Sequence, residues 1–171
     1  MTISGNLLDS LLINVVRSTD NKDPALHHFF VLLYYYGLRA SEAQQLGELI
    51  VRQTEYNTII TAKKTYTQRT LSHFPETINS INYCTNIVYG KNPYSIEQAR
   101  HYMNKIIGVY HISTGKKECV LHLFRHNYAK KKYIEARSSE VVAIDMSVSN
   151  STAKGYIGSI IKSPFKAMIT I

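Results

Sequence analysis

The chain is short of negative charge: 12 acidic residues stand against 20 lysines and arginines in 171, leaving a formal net charge of +8. That imbalance favours polyanionic partners, nucleic acid first and an anionic membrane surface second. Cysteine is almost absent. Cys84 and Cys119 form no disulfide or metal-ligand spacing and read as reduced thiols in the core or at the surface. No uninterrupted apolar run approaches the ~20 residues of a bilayer span. The apolar-rich start, "LLDSLLINVV", carries Asp9 and Asn14 and has no basic leader, so it does not read as a signal peptide. No repeat, low-complexity tract or Gly/Pro/Ser-rich linker divides the chain. With 44% apolar and 19% charged residues it reads as one folded domain over 1–171, expected in the cytoplasm.

What is present is mostly helical periodicity. Leu7, Leu8, Leu11, Leu12, Val15 and Val16 share one helical face over residues 6–18. "DPALHHFFVLLYYYG" places Pro24 in a first turn after Asp23 and Gly37 at a C-terminal cap. Being apolar nearly all round, it is expected to be a central buried helix, with Tyr34, Tyr35 and Tyr36 in the packing. Ala40 to Leu46 restart a helix after Arg39. "LIVRQ", "NTIITAK" and "RTLSHF" are short and rich in β-branched residues, predicting a small antiparallel sheet of two or three strands. Helical period then returns in "ETINSINYCTNIVYG" and in "SIEQARHYMNKIIGVY", where Ser95 and Gln98 make a capping box. After the turn-like "HISTGKKE" come a helix containing His122, a short helix in "SSEVVAIDM" and another in "STAKGYIGSII". The fold class expected is mainly α with one small antiparallel β-sheet.

In "VLHLFRHNYAKKKY", His122 and Arg125 lie one helical turn apart and so point the same way, with His126 beside them and Lys130, Lys131 and Lys132 behind. A solvated helix face accounts for that pattern, and so does a site that grips phosphate. Three further stretches bear on the choice. "YYYGLRASEAQQL" resembles the first arginine motif of the tyrosine recombinases, the phage-integrase family, a Gly-Leu-Arg-x-Ser-Glu followed by leucine. "TAKKTYTQRTLSHFPE" is similar to that family's β-hairpin lysine motif, with Lys64, Arg69 and Pro75 in order and two extra residues before the proline. "HLFRHNYA" resembles its His-x-x-Arg-His, and Tyr156, 31 residues after Arg125, falls where its nucleophilic tyrosine does. The resemblance runs from about residue 24 to 160.

The resemblance implies a tyrosine recombinase catalytic-domain fold and cleavage and rejoining of DNA through a 3′-phosphotyrosyl intermediate, with no metal or nucleotide cofactor. Tyr156 would be the nucleophile. Arg39 and Arg125 would clamp the scissile phosphate, a guanidinium offering a planar fork that matches two oxygens. Lys64 would be the general acid, and His122 would transfer a proton or orient the phosphate. Arg69, His126, Lys130 and Lys131 would contact or support the DNA backbone, which positions a protein without reading sequence. The partners implied are double-stranded DNA and further copies of the chain, four on two duplexes, with nucleoid association following from that substrate.

Plainer readings stand beside these. Arg39 can pair with Glu42, His122 and Arg125 can be a surface pair, and the lysine run can be a solvated face. Lys63 competes with Lys64 for the acid's place, and His126 can be structural. Two departures matter. Nine residues before the tyrosine, where the family has histidine or tryptophan, often after Leu-Gly, this chain has Ser147. A serine hydroxyl donates one hydrogen bond but brings neither charge nor ring. The separate N-terminal DNA-binding domain common in the family has no counterpart in the residues before 24. After Tyr156, Ile160, Ile161, Phe165 and Met168 are expected either to meet a neighbouring protomer or to pack on their own domain. A recombinase-like regulator with weakened catalysis is therefore the alternative function. A third reading is a basic helical protein that binds RNA or another protein.

Overall fold

The computed structural model describes residues 2–46, 49–62, 67–86, 96–107, 111–112 and 119–162. Strand β1 (Thr2–Ile3) leads into α1 (Gly5–Thr19), α2 (Pro24–Tyr36) and the short α3 (Ala40–Gln44). Strands β2 (Ile50–Gln53), β3 (Asn57–Thr61) and β4 (Gln68–Ser72) follow, then α4 (Ile78–Thr85), α5 (Ile96–Ile107) and β5 (His111–Ile112). A 3-10 turn (Val120–His122) opens α6 (Leu123–Ala136), and α7 (Ser139–Met146), α8 (Asn150–Ile157) and β6 (Ile161–Lys162) complete the order.

Local chemistry explains the main elements. Ser4 caps α1 by accepting from the Leu7 amide at 3.2 Å, and the Leu8, Leu11, Leu12, Val15 and Val16 stripe is buried. Asp23 caps α2 through the Leu26 amide at 3.2 Å, Pro24 opens it, and Gly37 closes it at φ +60°. Because α2 is apolar all round, it forms the centre. It packs on α1, α4 and α6, with Phe30 stacked on Phe124 at 5.8 Å between centroids. Each such fully buried Phe or Leu contributes about 1.5–3 kcal/mol. Tyr34 and Tyr36 are buried and Tyr35 half-buried, as their place in this helix demands.

The predicted small sheet is the meander β2–β3–β4, antiparallel throughout, with Ile50 opposite Thr61 and Asn57 opposite Ser72. Its inward face carries Thr58 and Ile60 from β3 and Arg69 and Leu71 from β4. Two differences from the sequence reading concern a second sheet and the last helix. Thr2–Ile3, His111–Ile112 and Ile161–Lys162 pair in a second antiparallel sheet, in the order β1–β6–β5. Two-residue strands carry no period to read, and "HISTGKKE" was expected as a turn. The last helix stops at Ile157 rather than continuing through Ile161, because Gly158 closes it and Ile161 is needed in β6. The capping box at Ser95 lies outside the described residues.

α6, α7 and α8 build a small second cluster from Ala129, Val142, Ala143, Met146 and Ala153, with Tyr128, Val148, Tyr156 and Ile157 against it. Where α1, α2 and α6 meet, Asp9 Oδ1 accepts from the Tyr34 hydroxyl at 2.8 Å and Asn127 Nδ2 at 3.0 Å, with Lys131 Nζ at 3.2 Å. Burial opposes ionisation of Asp9, but the hydrogen bonds from Asn127 and Tyr34 and the Lys131 charge outweigh it and hold the carboxyl below its ordinary value. A depressed carboxyl gives stability that is present above the unfolded value and lost as pH falls through the folded one. Wild type should therefore lose stability below about pH 4 more steeply than Asp9→Asn. Parallel acid melts of the two chains would refute this assignment.

Candidate active site

The site is organised around the exit of α2. At Gly37 the left-handed backbone turns the chain, and a β-carbon there would sit 2.7 Å from Tyr128 Cβ, Cγ and Cδ1. Two residues on, Arg39 caps α3. Its amide donates to Glu42 Oε1 at 2.8 Å, and its half-exposed guanidinium lies 3.9 Å from the same oxygen. The ion pair foreseen as the plain reading of Arg39 is thus present. The same carboxylate oxygen is also 4.0 Å from Arg125 Nη1. Glu42 therefore lies between two guanidiniums, a placement the sequence signals only as a carboxylate three residues after a helix start.

Arg125, on the first turn of α6, is 1% exposed. Its Nη1 donates to the Gly37 carbonyl at 2.7 Å, and its Nε donates to the Tyr156 hydroxyl at 3.4 Å. The guanidinium carbon stands 5.3 Å from the centre of the Tyr156 ring. Nη2 has no hydrogen-bond partner among the described residues. A buried donor of a charged group costs about 1–3 kcal/mol or more when unmet, so this one calls for an acceptor oxygen. Tyr156 itself is half-buried on α8, its ring edge-on to His126 at 5.0 Å.

Two further side chains of α6, His126 and Lys130, hold the end of α8. His126 Nδ1 shares a 2.8 Å hydrogen bond with Ser159 Oγ, while Lys130 Nζ donates to the carbonyls of Ile157 at 2.8 Å and Ser159 at 2.6 Å. Burial lowers the Lys130 ammonium's affinity for its proton. Both residues, expected near DNA, fix the position of Tyr156 in this arrangement. Lys131 faces Asp9 and Tyr34 on the other side of α6, and Lys132 is half-buried. His122 is half-buried at the junction of the 3-10 turn and α6, its amide donating to Cys119 O at 2.9 Å.

Arg69 was expected at the DNA surface and lies inside instead, 4% exposed. It points inward from β4, donates through Nη2 to the Tyr36 carbonyl and rests 5.9 Å over the Tyr128 ring. Burial depresses its pKa, partly countered by Tyr128, Asp145 and Glu42. The Tyr128 hydroxyl in turn donates to Asp145, joining α6 to α7.

Ser147 closes α7 in the left-handed region at φ +55°. Its amide donates to Ile144 O at 3.2 Å and that of Val148 to Ala143 O at 3.0 Å, the paired bonds of a Schellman motif. The Ser147 hydroxyl donates to the Gln68 carbonyl at 2.5 Å, tying α7 to β4. Of the tail, Ile161 is buried in its own domain and Ile160 is exposed. Lys64 and its competitor Lys63 lie outside the described residues, as do Phe165 and Met168. The described residues thus bring Arg39 and Arg125 together on Glu42 and set Tyr156 against Arg125, with His126 and Lys130 behind. They keep Arg69 beneath the site and Lys131 away from it.

No protein-family model matches the sequence, and no curated protein does. Among solved structures, the chain is similar to the XerH site-specific recombinase bound to palindromic difH substrate in a post-cleavage complex. That likeness has a TM-score of 0.61 at 15% identity, over 86% of this chain and 47% of that one. The pre-cleavage complex of XerH with difH substrate gives 0.58 at 15% identity, over 94% and 51%. The likeness establishes a recombinase-like fold, and the chain spans about half the length of the proteins it matches. Among the described residues, no helix is long and apolar enough to cross a membrane.

Proposed function

We propose that the protein cleaves and rejoins duplex DNA at a specific site through a covalent link between Tyr156 and a 3′-phosphate. The observation that carries this reading is the contact of the Tyr156 hydroxyl with Nε of a buried arginine whose Nη2 has no partner among the described residues. In this reading the Tyr156 hydroxyl gives up its proton to solvent as Oη attacks phosphorus, the bond to the 5′-oxygen breaks, and that oxygen takes a proton as it leaves. Arg125 Nη2 and the half-exposed Arg39 guanidinium receive the non-bridging oxygens, where preorganised cations stabilise the charge that develops in the transition state. Lys64 supplies the proton and His122 assists. Reversal with another strand's 5′-hydroxyl rejoins the backbone, and exchange between two duplexes requires four copies.

The test is a nicked duplex that traps the intermediate, with a pool of flanking genomic sites if the target is unknown. A protein–DNA band should appear on a denaturing gel with chelator present, and peptide mapping should place the DNA on α8. A mapped adduct on any other residue would end the assignment of Tyr156.

One observation favours the second reading, a DNA-binding regulator with weakened catalysis. Ser147 closes α7 in the left-handed conformation that glycine favours, which supports reading it as the glycine of the family's Leu-Gly-His pattern, with Val148 then in the histidine's place. The Ser147 hydroxyl is meanwhile spent on Gln68, so neither residue offers the phosphate a free polar group. Val148→His should then raise the rate of adduct formation about tenfold to a hundredfold, the worth of one regained buried contact. Ser147→His should not. The opposite ranking in single-turnover assays would restore Ser147 to the histidine position.

A further inference from the structure

We infer that Arg69 is a positioning residue for the strand-cleavage site rather than a DNA contact, an inference that rests on the reading of Arg125 and Tyr156 given above. Two buried guanidiniums from different elements grip consecutive carbonyls at the end of α2: Arg69 takes Tyr36 O and Arg125 takes Gly37 O. The last carbonyls of a helix have no partners within it and carry the negative end of its dipole, so cations there are favoured. The turn that these two carbonyls define leads directly into Arg39. Arg69 therefore acts on both phosphate-clamping arginines, on Arg39 through the direction of the turn and on Arg125 through the neighbouring carbonyl that orients its fork.

Arg69 also fixes the sheet against the helices. Its guanidinium lies over Tyr128, which is held by Asp145, and the preceding residue, Gln68, accepts from Ser147. β4 is thereby joined to α2, α6 and α7 within two residues. Holding these elements is expensive for an arginine, because its Nε and Nη1 are buried without partners among the described residues. An apolar side chain would hold the elements together at less desolvation cost. What it would not supply is a directed donor to the Tyr36 carbonyl.

The experiment uses the full chain as wild type, Arg69→Met, Arg69→Lys and, as a core control of similar mild destabilisation, Ile81→Val. Duplex affinity is measured against salt, and adduct formation in single turnover at saturating protein. The expected results for Arg69→Met are an unchanged salt slope and an adduct rate lower by about tenfold to a hundredfold, the effect of a small misplacement of a clamp. Arg69→Lys should recover part of the rate, since an ammonium can reach one carbonyl, and Ile81→Val should match wild type. A salt slope smaller by about 0.9 would make Arg69 a phosphate contact and overturn the inference. A wild-type adduct rate in Arg69→Met would overturn it too. Should wild type itself form no adduct, the functional reading fails, and the positioning role is then decided by the NMR cross-peak of the Arg125 Nε–H group. That peak should move in Arg69→Met and not in Ile81→Val; an unmoved peak would sink the inference.

Discussion

A Tyr156→Phe chain should bind duplex DNA as wild type does and form no covalent adduct. The substitution removes one oxygen and little else. That oxygen accepts a single long bond, 3.4 Å from Arg125 Nε, so its loss costs the fold no more than about 1 kcal/mol. The ring keeps its edge-on packing against His126 and its place under the Arg125 guanidinium. The anchors that hold the end of α8, His126 on Ser159 and Lys130 on two carbonyls, do not involve the phenol at all. Binding and melting temperature should therefore barely change. Chemistry should stop, because Tyr156 is the nucleophile of the proposed reaction, and loss of a nucleophile typically removes about 10⁴-fold or more of the rate. The decisive comparison is the covalent band per unit of bound DNA in the two chains. A phenylalanine variant that still traps DNA at a comparable rate would show that the nucleophile lies elsewhere.

How much of this was open to a reader of the sequence depends on the range of the interactions involved. The long helix α2 was, because its start at Asp23–Pro24 and its stop at Gly37 are local choices with local causes. The meander was, because β-branched runs of five residues carry their own signal. β1, β5 and β6 were not: each is two residues long and exists only through distant pairing, Ile3 with Ile161 and Ile112 with the same Ile161. The site divides the same way. Arg39, Arg125 and Tyr156 stood out by motif, but their mutual contacts depend on where α2, α6 and α8 cross. Neither the burial of Arg69 nor the sharing of Glu42 between two arginines has any signature along the chain. Ser147 shows the limit of counting. Nine positions back from the tyrosine gives that serine, but its left-handed backbone angle, the conformation glycine favours at a helix end, has no signal along the chain.

Gly37→Ala should be the most damaging glycine-to-alanine change among the described residues. Two costs combine. At φ +60° an L-residue with a β-carbon is disfavoured by about 1–2 kcal/mol, where glycine is not. The added carbon would also stand 2.7 Å from three atoms of Tyr128, well inside contact distance. Tyr128 cannot simply rotate away, since one of those atoms is its own Cβ, fixed by the α6 backbone, and its hydroxyl is held by Asp145. Relief must come from parting α2 and α6, which adds about 1–3 kcal/mol, the usual cost of overpacking. The sum, about 2–5 kcal/mol, is a large share of the stability of an ordinary domain and should lower the melting temperature by roughly 4–20 °C. Parting α2 from α6 also moves the Gly37 carbonyl off Arg125 Nη1 and disturbs the neighbouring Tyr36 carbonyl held by Arg69, so adduct formation should fall even at temperatures where the variant is folded. Thermal melts give the first quantity, and single-turnover cleavage well below the variant's midpoint gives the second. A Gly37→Ala chain that melts within about 2 °C of wild type, equivalent to no more than about 1 kcal/mol, would mean that Tyr128 does not lie against the turn. The coupling between α2's exit and the arginine fork would then have no structural basis.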